Sequence, residues 1–345
     1  MDQGLAAGAG QTVDLVALAR GLVDIDSTTG REQEAARWLA RMLRGLGYRV
    51  EEQPLDGGRF NVFARLDEPP LLVFSTHFDC VPPFFPSREE GGLLFGRGAC
   101  DAKGILAAQV AAAERLRAAG ERRIALLFVA GEERGSDGAR AANAQAPAGV
   151  RYLVNGEPTD NRLGAATRGV LRVRLRADGR AAHSAFPELG VSAIDKLLDA
   201  LMVVRGLELP EDPLLGRTHY TVGLIEGGVA PNVISPRASA ELLFRLVGPA
   251  EPVRAALAVV EGLVSIEHVL DQPAVRLHTV PGFDTAVFPY TTDVPLLGRW
   301  GTPLLLGPGS IHVAHTDEEH VAVDELRAAV ALYERLATGL MRTLH

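Results

Sequence analysis

His77 and Asp79 stand two positions apart at the end of an almost unbroken apolar run, LLVFSTHFDC, residues 71–80. In extended backbone, side chains two positions apart face the same way. Asp79 can therefore accept a hydrogen bond from the far nitrogen of His77 and fix its orientation for metal binding. The arrangement recurs along the chain. IALLFVA at 124–130 runs into Gly131-Glu132-Glu133, RYLVN at 151–155 into Gly156-Glu157-Pro158, and PLLLGPGS into His312 and His315. Asp101, in GRGACDAKG, lies between a strand and a helix and can join them. Two histidines and three or more carboxylates without thiolate form a mixed nitrogen and oxygen ligand set. Such a set suits zinc, cobalt or manganese, and its size favours two ions bridged by one carboxylate, with Asp101 the natural bridge. In the tandem Glu132-Glu133 adjacent side chains diverge, so one can bind metal while its neighbour takes a proton. His312 and His320 compete with His315 for the last ligand position, whereas His219, His268 and His278 read as surface or structural residues.

Regular elements must carry these groups. VDLVALARGLVDI and EQEAARWLARMLRGLGY space apolar residues three or four apart and predict amphipathic helices, the second stopped by Gly45 and Gly47. YRVEEQ, FNVFARL, LLVFS, IALLFVA and RYLVN predict strands, with helices ILAAQVAAAERLRAAG and GARAANAQA between the later ones. The alternation predicts an α/β domain built on a mostly parallel sheet, with the candidate ligands gathered outside the carboxyl ends of its strands. The texture changes near residue 168. GVLRVRLRADG, SAIDKLLDALMVVRGL, HYTVGLIEGG, ASAELLFRLVG, PVRAALAVVEGLV and a last strand through IEHVL and AVRLHTV read β-α-β-β-α-β. This predicts an inserted ferredoxin-like α+β unit. The expected division is a metal-binding catalytic domain at 1–167 plus 278–345, closed by the helix VDELRAAVALYERLATGLM, and a lid or dimerisation domain at 168–277.

In order, STHFDCVP, GRGACDAKG, GEERGSDGA, NGEPT, GRAAHSAFPELGVSAI, PNVISPRA and GPGSIHVAHTDEEHV resemble the dinuclear-zinc amidohydrolase and metallopeptidase family of acetylornithine deacetylase and succinyl-diaminopimelate desuccinylase. The resemblance covers nearly the whole chain. It implies a zinc-peptidase-like fold in which His77, Asp101 and Glu157 hold one divalent ion and Asp101, Glu133 and His315 the other, zinc first and cobalt second. It also implies Glu132 as general base, Asp79 orienting His77, and a cis peptide after Asp101. His183 of the lid would enter the neighbouring subunit's site in a homodimer and stabilise the oxyanion. Asn232 and Arg245 would bind the substrate carboxylate, with Arg168 and the loop carrying Gly309 and Ser310 as further candidates. Gly131, where many relatives carry an acid, and Ala102, in place of a larger residue, depart from the pattern. The implied reaction is amide hydrolysis of an N-acyl amino acid, with N-acetyl-L-ornithine, in arginine biosynthesis, the leading expectation. N-acetylcitrulline, N-acetyl-lysine and N-succinyl-diaminopimelate follow, and then a dipeptidase or aminopeptidase on the same scaffold. A non-catalytic metal or ligand binder ranks last, because Glu132, which binds no metal, has no structural duty.

The formal charge of −8, from 35 Lys and Arg against 43 Asp and Glu, opposes a broad phosphate-binding surface and excludes nucleic acid as the expected partner. The start MDQGLAAGAGQTVD lacks a basic stretch followed by an apolar core, and no window approaches a membrane span, so a cytoplasmic protein is expected. Cys80 and Cys100 form no disulfide framework. Each adjoins a required acid, Asp79 or Asp101, so thiol reagents or oxidation are expected to disturb the site.

Overall fold

The structure is a computed structural model that describes residues 13–344; the first 12 residues, which carry most of the segment inspected for a leader, lie outside the described residues. The chain divides into two compact units. One comprises residues through Ala165, Leu277–Ala286 and the chain from Thr292; the other comprises Ala166–Arg276 and Val287–Thr291.

The first unit is built on a six-stranded sheet. Its strands are β1 Arg49–Pro54, β2 Phe60–Arg65, β3 Leu72–His77, β4 Ile124–Val129, β5 Tyr152–Asn155 and β10 Thr302–Leu305, in the spatial order β1-β2-β4-β3-β5-β10. The pairs β4–β3, β3–β5 and β5–β10 are parallel, while β1–β2 and β2–β4 are antiparallel. Both faces are covered, which explains the near-continuous apolar runs of the central strands. Phe74, Leu126, Phe128 and Val154 join the core formed with helices α1 Leu15–Val23, α2 Gln33–Gly45, α3 Lys103–Ala118 and α7 Val323–Arg342. The alternate residues Val73, Ala125, Leu127 and Leu153 pack on the other face with α4 Asp137–Ala144 and Trp300. Helix α3 is buried along most of its length, and its alanines let α7 approach closely. No helix among the described residues is long and apolar enough to cross a membrane.

The second unit contains β6 Gly169–Asp178, α5 Ala193–Arg205, β7 His219–Gly227, β8 Arg237–Leu246, α6 Glu251–Leu257 and β9 Ser265–Gln272. Its sheet runs β7-β8-β6-β9 with every pair antiparallel, the ferredoxin-like arrangement that the element order predicts. Only one face carries helices. Leu171, Val173 and Leu175 are buried beneath them, while Arg172, Arg174 and Arg176 alternate onto the open face. The expected long last strand is two strands. β9 stops at Gln272, since Pro273 has no N–H to extend a ladder, and Val275–Arg276 pairs instead with Ala166–Thr167.

Candidate metal centre

Three adjacent parallel strands deliver the acids and His77. β3 ends at His77, β4 runs into Glu132 and Glu133, and β5 runs into Glu157. His77 Nε2 lies 3.0 Å from Asp101 Oδ1 and 4.0 Å from Glu157 Oε2. His315 Nε2 lies 3.3 Å from Asp101 Oδ2 and 3.0 Å from Glu133 Oε1. Asp101 thus turns one oxygen to each of two ligand groups, and within each group one ligand atom per residue lies within 4.8 Å of the others. The peptide between Asp101 and Ala102 is cis, and His315 adopts a left-handed backbone with φ 63°. Neither His312 nor His320 joins these groups.

The electrostatics fit cations. Burial pushes Glu157 well above the usual carboxylate range, aided by the charge of Asp101 although His77 opposes it, and Glu133 is raised for the same first reason. Asp101 goes the other way: burial opposes its charge, but hydrogen bonds from His315 and His77 hold it well below the ordinary value. Those bonds, to Asp101 first and then Glu133, lift His315 to about 10. Glu157 Oε1 is buried without a hydrogen-bond partner among the described residues. Converging acids with an orphaned oxygen are unfavourable alone and match a pair of divalent cations.

Asp79 meets His77 as expected and has a second set of partners. The nearest acceptor to His77 Nδ1 is the Asp79 backbone carbonyl at 3.1 Å, with the carboxylate at 3.5 Å. A carbonyl only accepts, so Nδ1 carries a proton, and Nε2 is the nitrogen turned toward Asp101 and Glu157, where a bound cation would take the place of its hydrogen bond. The carboxylate also accepts the backbone N–H groups of Glu132 at 3.0 Å and Glu133 at 3.2 Å, and the Thr29 hydroxyl at 2.8 Å. It therefore fixes the turn that carries the candidate base. Glu132 has its carboxyl pushed well up by burial and then by the charge of buried Asp293, a residue that sequence reasoning missed. Gly131 is also explained. It has φ 80°, and a Cβ there would fall 2.1 Å from Asp137 Oδ1, so no acid could take its place while Asp137 pairs with Arg59.

Glu319 is the other residue that the sequence did not single out. It is fully buried, and Oε1 accepts the backbone N–H groups of Gly98, Cys100 and Asp101 at 2.9, 3.2 and 3.1 Å. Its Oε2 takes the Arg97 guanidinium at 2.7 Å. Four residues beyond His315, it ties the loop of one ligand to the segment of another. The only advance signal was that AHTDEEH crowds three acids between two histidines. Cys80 and Cys100 are buried, and burial raises both thiols, Cys80 to about 11. Both features disfavour the thiolate, the form in which a cysteine attacks. Gly309 is buried with φ 82°, and a Cβ there would meet Cys100 Sγ at 2.5 Å, while Ser310 bridges to Thr159. The glycine thus lets the loop close over Cys100.

Within the second unit, His183 and Asn232 are neighbours. His183 forms a bridge with Val233, and the Asn232 carbonyl accepts from Ser184 N–H at 3.0 Å. His183 Nδ1 accepts the Ala185 N–H at 3.1 Å, leaving Nε2 as the donor. Arg245 is half-buried and makes no hydrogen bond or ion pair among the described residues, and burial followed by the charge of Arg168 lowers its pKa. Arg168, a further candidate for substrate binding, donates to the carbonyls of Arg217 and Leu215 and to His219 Nδ1.

The description of Peptidase family M20/M25/M40 matches residues 73–339. A probable carboxypeptidase of Aspergillus clavatus is 37% identical over 373 residues, covering 95% of this chain and 82% of that protein. A peptidase M20 domain-containing protein of Schizosaccharomyces pombe is 35% identical over 344 residues, covering 95% of this chain and 85% of its own. Among solved structures, aminopeptidase PepT from Bacillus cereus superposes with a TM-score of 0.77 at 21% identity, covering 95% of this chain and 98% of that one. An M20 family metallo-carboxypeptidase from Sulfolobus solfataricus gives 0.74 at 18% identity, covering 93% and 98%. At these identities the superpositions establish the fold alone.

Proposed function

The chain belongs to peptidase family M20/M25/M40, and from that premise we propose that it is a metal-dependent carboxypeptidase cleaving the amide bond before the C-terminal residue of a short peptide. The observation that carries this reading is Arg245, a half-buried guanidinium that pairs with no acid among the described residues and whose planar fork matches a free carboxylate. The names of the relatives move the weight away from the acetylornithine deacetylase expected from the sequence and toward its peptidase alternative. An N-acyl amino acid offers the same carboxylate and remains the second substrate class.

His77, Asp101 and Glu157 would hold one divalent ion and Asp101, Glu133 and His315 a second, zinc first in expectation. When bound, such ions lower the pKa of water and polarise the scissile carbonyl. Glu132, its backbone held by Asp79, accepts the proton of the attacking water and returns it to the leaving amine. His183 presents Nε2–H to the developing oxyanion, and Asn232 orients the substrate beside it. The assigned partner is a second copy of this chain. β7 is an edge strand exposed along its length, with Val222, Leu224 and Ile225 in the open, and Met202 of α5 is exposed as well.

The test is amine release from N-acylated dipeptides and N-acetyl-L-ornithine by chelator-stripped protein, before and after zinc or cobalt is restored. Metal-dependent cleavage of dipeptides is expected. Turnover of acetylornithine alone would return the deacetylase reading, and activity indifferent to metal would end both.

A further inference from the structure

The open face of the second unit shows how this chain ordinarily treats its arginines. Arg172 and Arg174 each reach Glu241, and Arg174 and Arg176 reach Glu267. At one end of the same face the pattern stops. There Arg245 stands opposite Val170 on one side and His219 on the other, and no acid among the described residues pairs with it. Glu241, four residues earlier on the same strand, is held by Arg172 and Arg174, while Asp212 is held by Arg276 at 2.6 Å and Glu211 by Arg217 at 3.2 Å. A guanidinium that loses water without gaining a partner is costly, and the cost is recovered only when an anion arrives.

His219 stands beside Arg245 on the neighbouring strand. As the direct cross-strand partner of Arg245 it puts its Cβ about 5 Å away on the same face. Its Nδ1 lies 3.2 Å from Arg168 Nη1. Arginine only donates, so Nδ1 must be the bare nitrogen and Nε2 must carry the hydrogen. Arg168 is itself held by the carbonyls of Arg217 and Leu215, so the ring is presented in one tautomer, with a donor and no acceptor left on its free edge.

We infer that Arg245 and His219 together form a carboxylate clamp, His219 giving a second hydrogen bond through Nε2–H, and that Arg168 is a positioning residue that fixes the tautomer of His219. This rests on the proposed function only in identifying the carboxylate as that of the substrate's C-terminal residue. It makes His219 a specificity residue, and the clamp recognises the terminal carboxylate with no contribution from the side chain beside it.

The experiment is calorimetric binding of N-acetyl-L-leucine and of N-acetyl-L-leucinamide to the zinc-loaded protein, with proton-decoupled NMR of the labelled histidine rings. The wild type should favour the carboxylate, and His219→Leu should reduce that preference at least about tenfold, the effect of losing one hydrogen bond to a charged group. His219→Gln, which restores an N–H near the same point, should recover most of it. Arg168→Met should weaken the preference in the same direction and shift the His219 ring carbons away from the Nε2–H signature. An unchanged preference in His219→Leu, or an unmoved ring signal in Arg168→Met, overturns the inference. If the clamp behaves as expected but no dipeptide is cleaved, the carboxypeptidase reading fails and the clamp stands. If dipeptides are cleaved without preference for the free carboxylate, the clamp fails and the hydrolase stands.

Discussion

Glu132 is where a single atom decides the chemistry. Its neighbour Glu133 approaches His315 at 3.0 Å, whereas Glu132 has its backbone fixed by Asp79 and its carboxyl raised by burial. Glu132→Gln keeps the shape and removes the base. Two metal ions should still be retained by elemental analysis, and turnover should fall about 10³-fold, within the usual range for general-base catalysis. A variant within a few-fold of wild type would remove Glu132 from the mechanism. At this scale the sequence was informative for an identifiable reason. His77, Glu132, Glu133 and Glu157 sit at the ends of strands whose apolar runs are visible, so their convergence follows from the sheet. The further partners of Asp79 are not visible, because they are backbone N–H groups some 53 residues away, and a backbone donor leaves no mark on residue type.

Among the elements, the loop 97–101 gains most from a residue outside it. It contains no regular structure, yet it must hold Asp101 so that each oxygen faces a different histidine. Glu319 does this by accepting three of its backbone N–H groups and pairing with buried Arg97. Glu319→Ala leaves those donors and a buried cation unanswered, and breaking such a pair costs about 3–5 kcal/mol. The urea midpoint should fall accordingly, and zinc should be lost to a competing chelator more readily. Glu319→Gln, which keeps an oxygen acceptor, should do less damage. An unchanged midpoint and unchanged zinc retention in Glu319→Ala would show that the loop holds itself. The elements themselves were legible because periodicity records burial. Their ends were less so: β9 was read too long because the pattern of IEHVL and AVRLHTV continues on either side of Pro273, the residue that breaks it.

For the whole molecule the question is whether one chain holds a complete site. The second unit exposes the full length of β7 and apolar side chains of α5, which is wasteful in a monomer and suits pairing around a two-fold axis. If a second copy covers that face and His183 serves the neighbour's reaction, then a chain lacking Glu132 and a chain lacking His183 each fail for a different reason. Mixing Glu132→Gln with His183→Ala and allowing subunits to exchange would create dimers in which one site has an intact base and receives an intact histidine from the other chain. With random pairing half the dimers are mixed and each has one such site, so activity should return to about one quarter of wild type from two inactive parents. Recovery should grow with the time allowed for exchange and vanish when the chains are kept apart. If each parent is inactive and the exchanged mixture is also inactive, His183 acts within its own chain and the dimer, where it forms, is not part of the chemistry. That outcome would leave the metal centre untouched, since both of its ligand groups are completed by residues of a single unit.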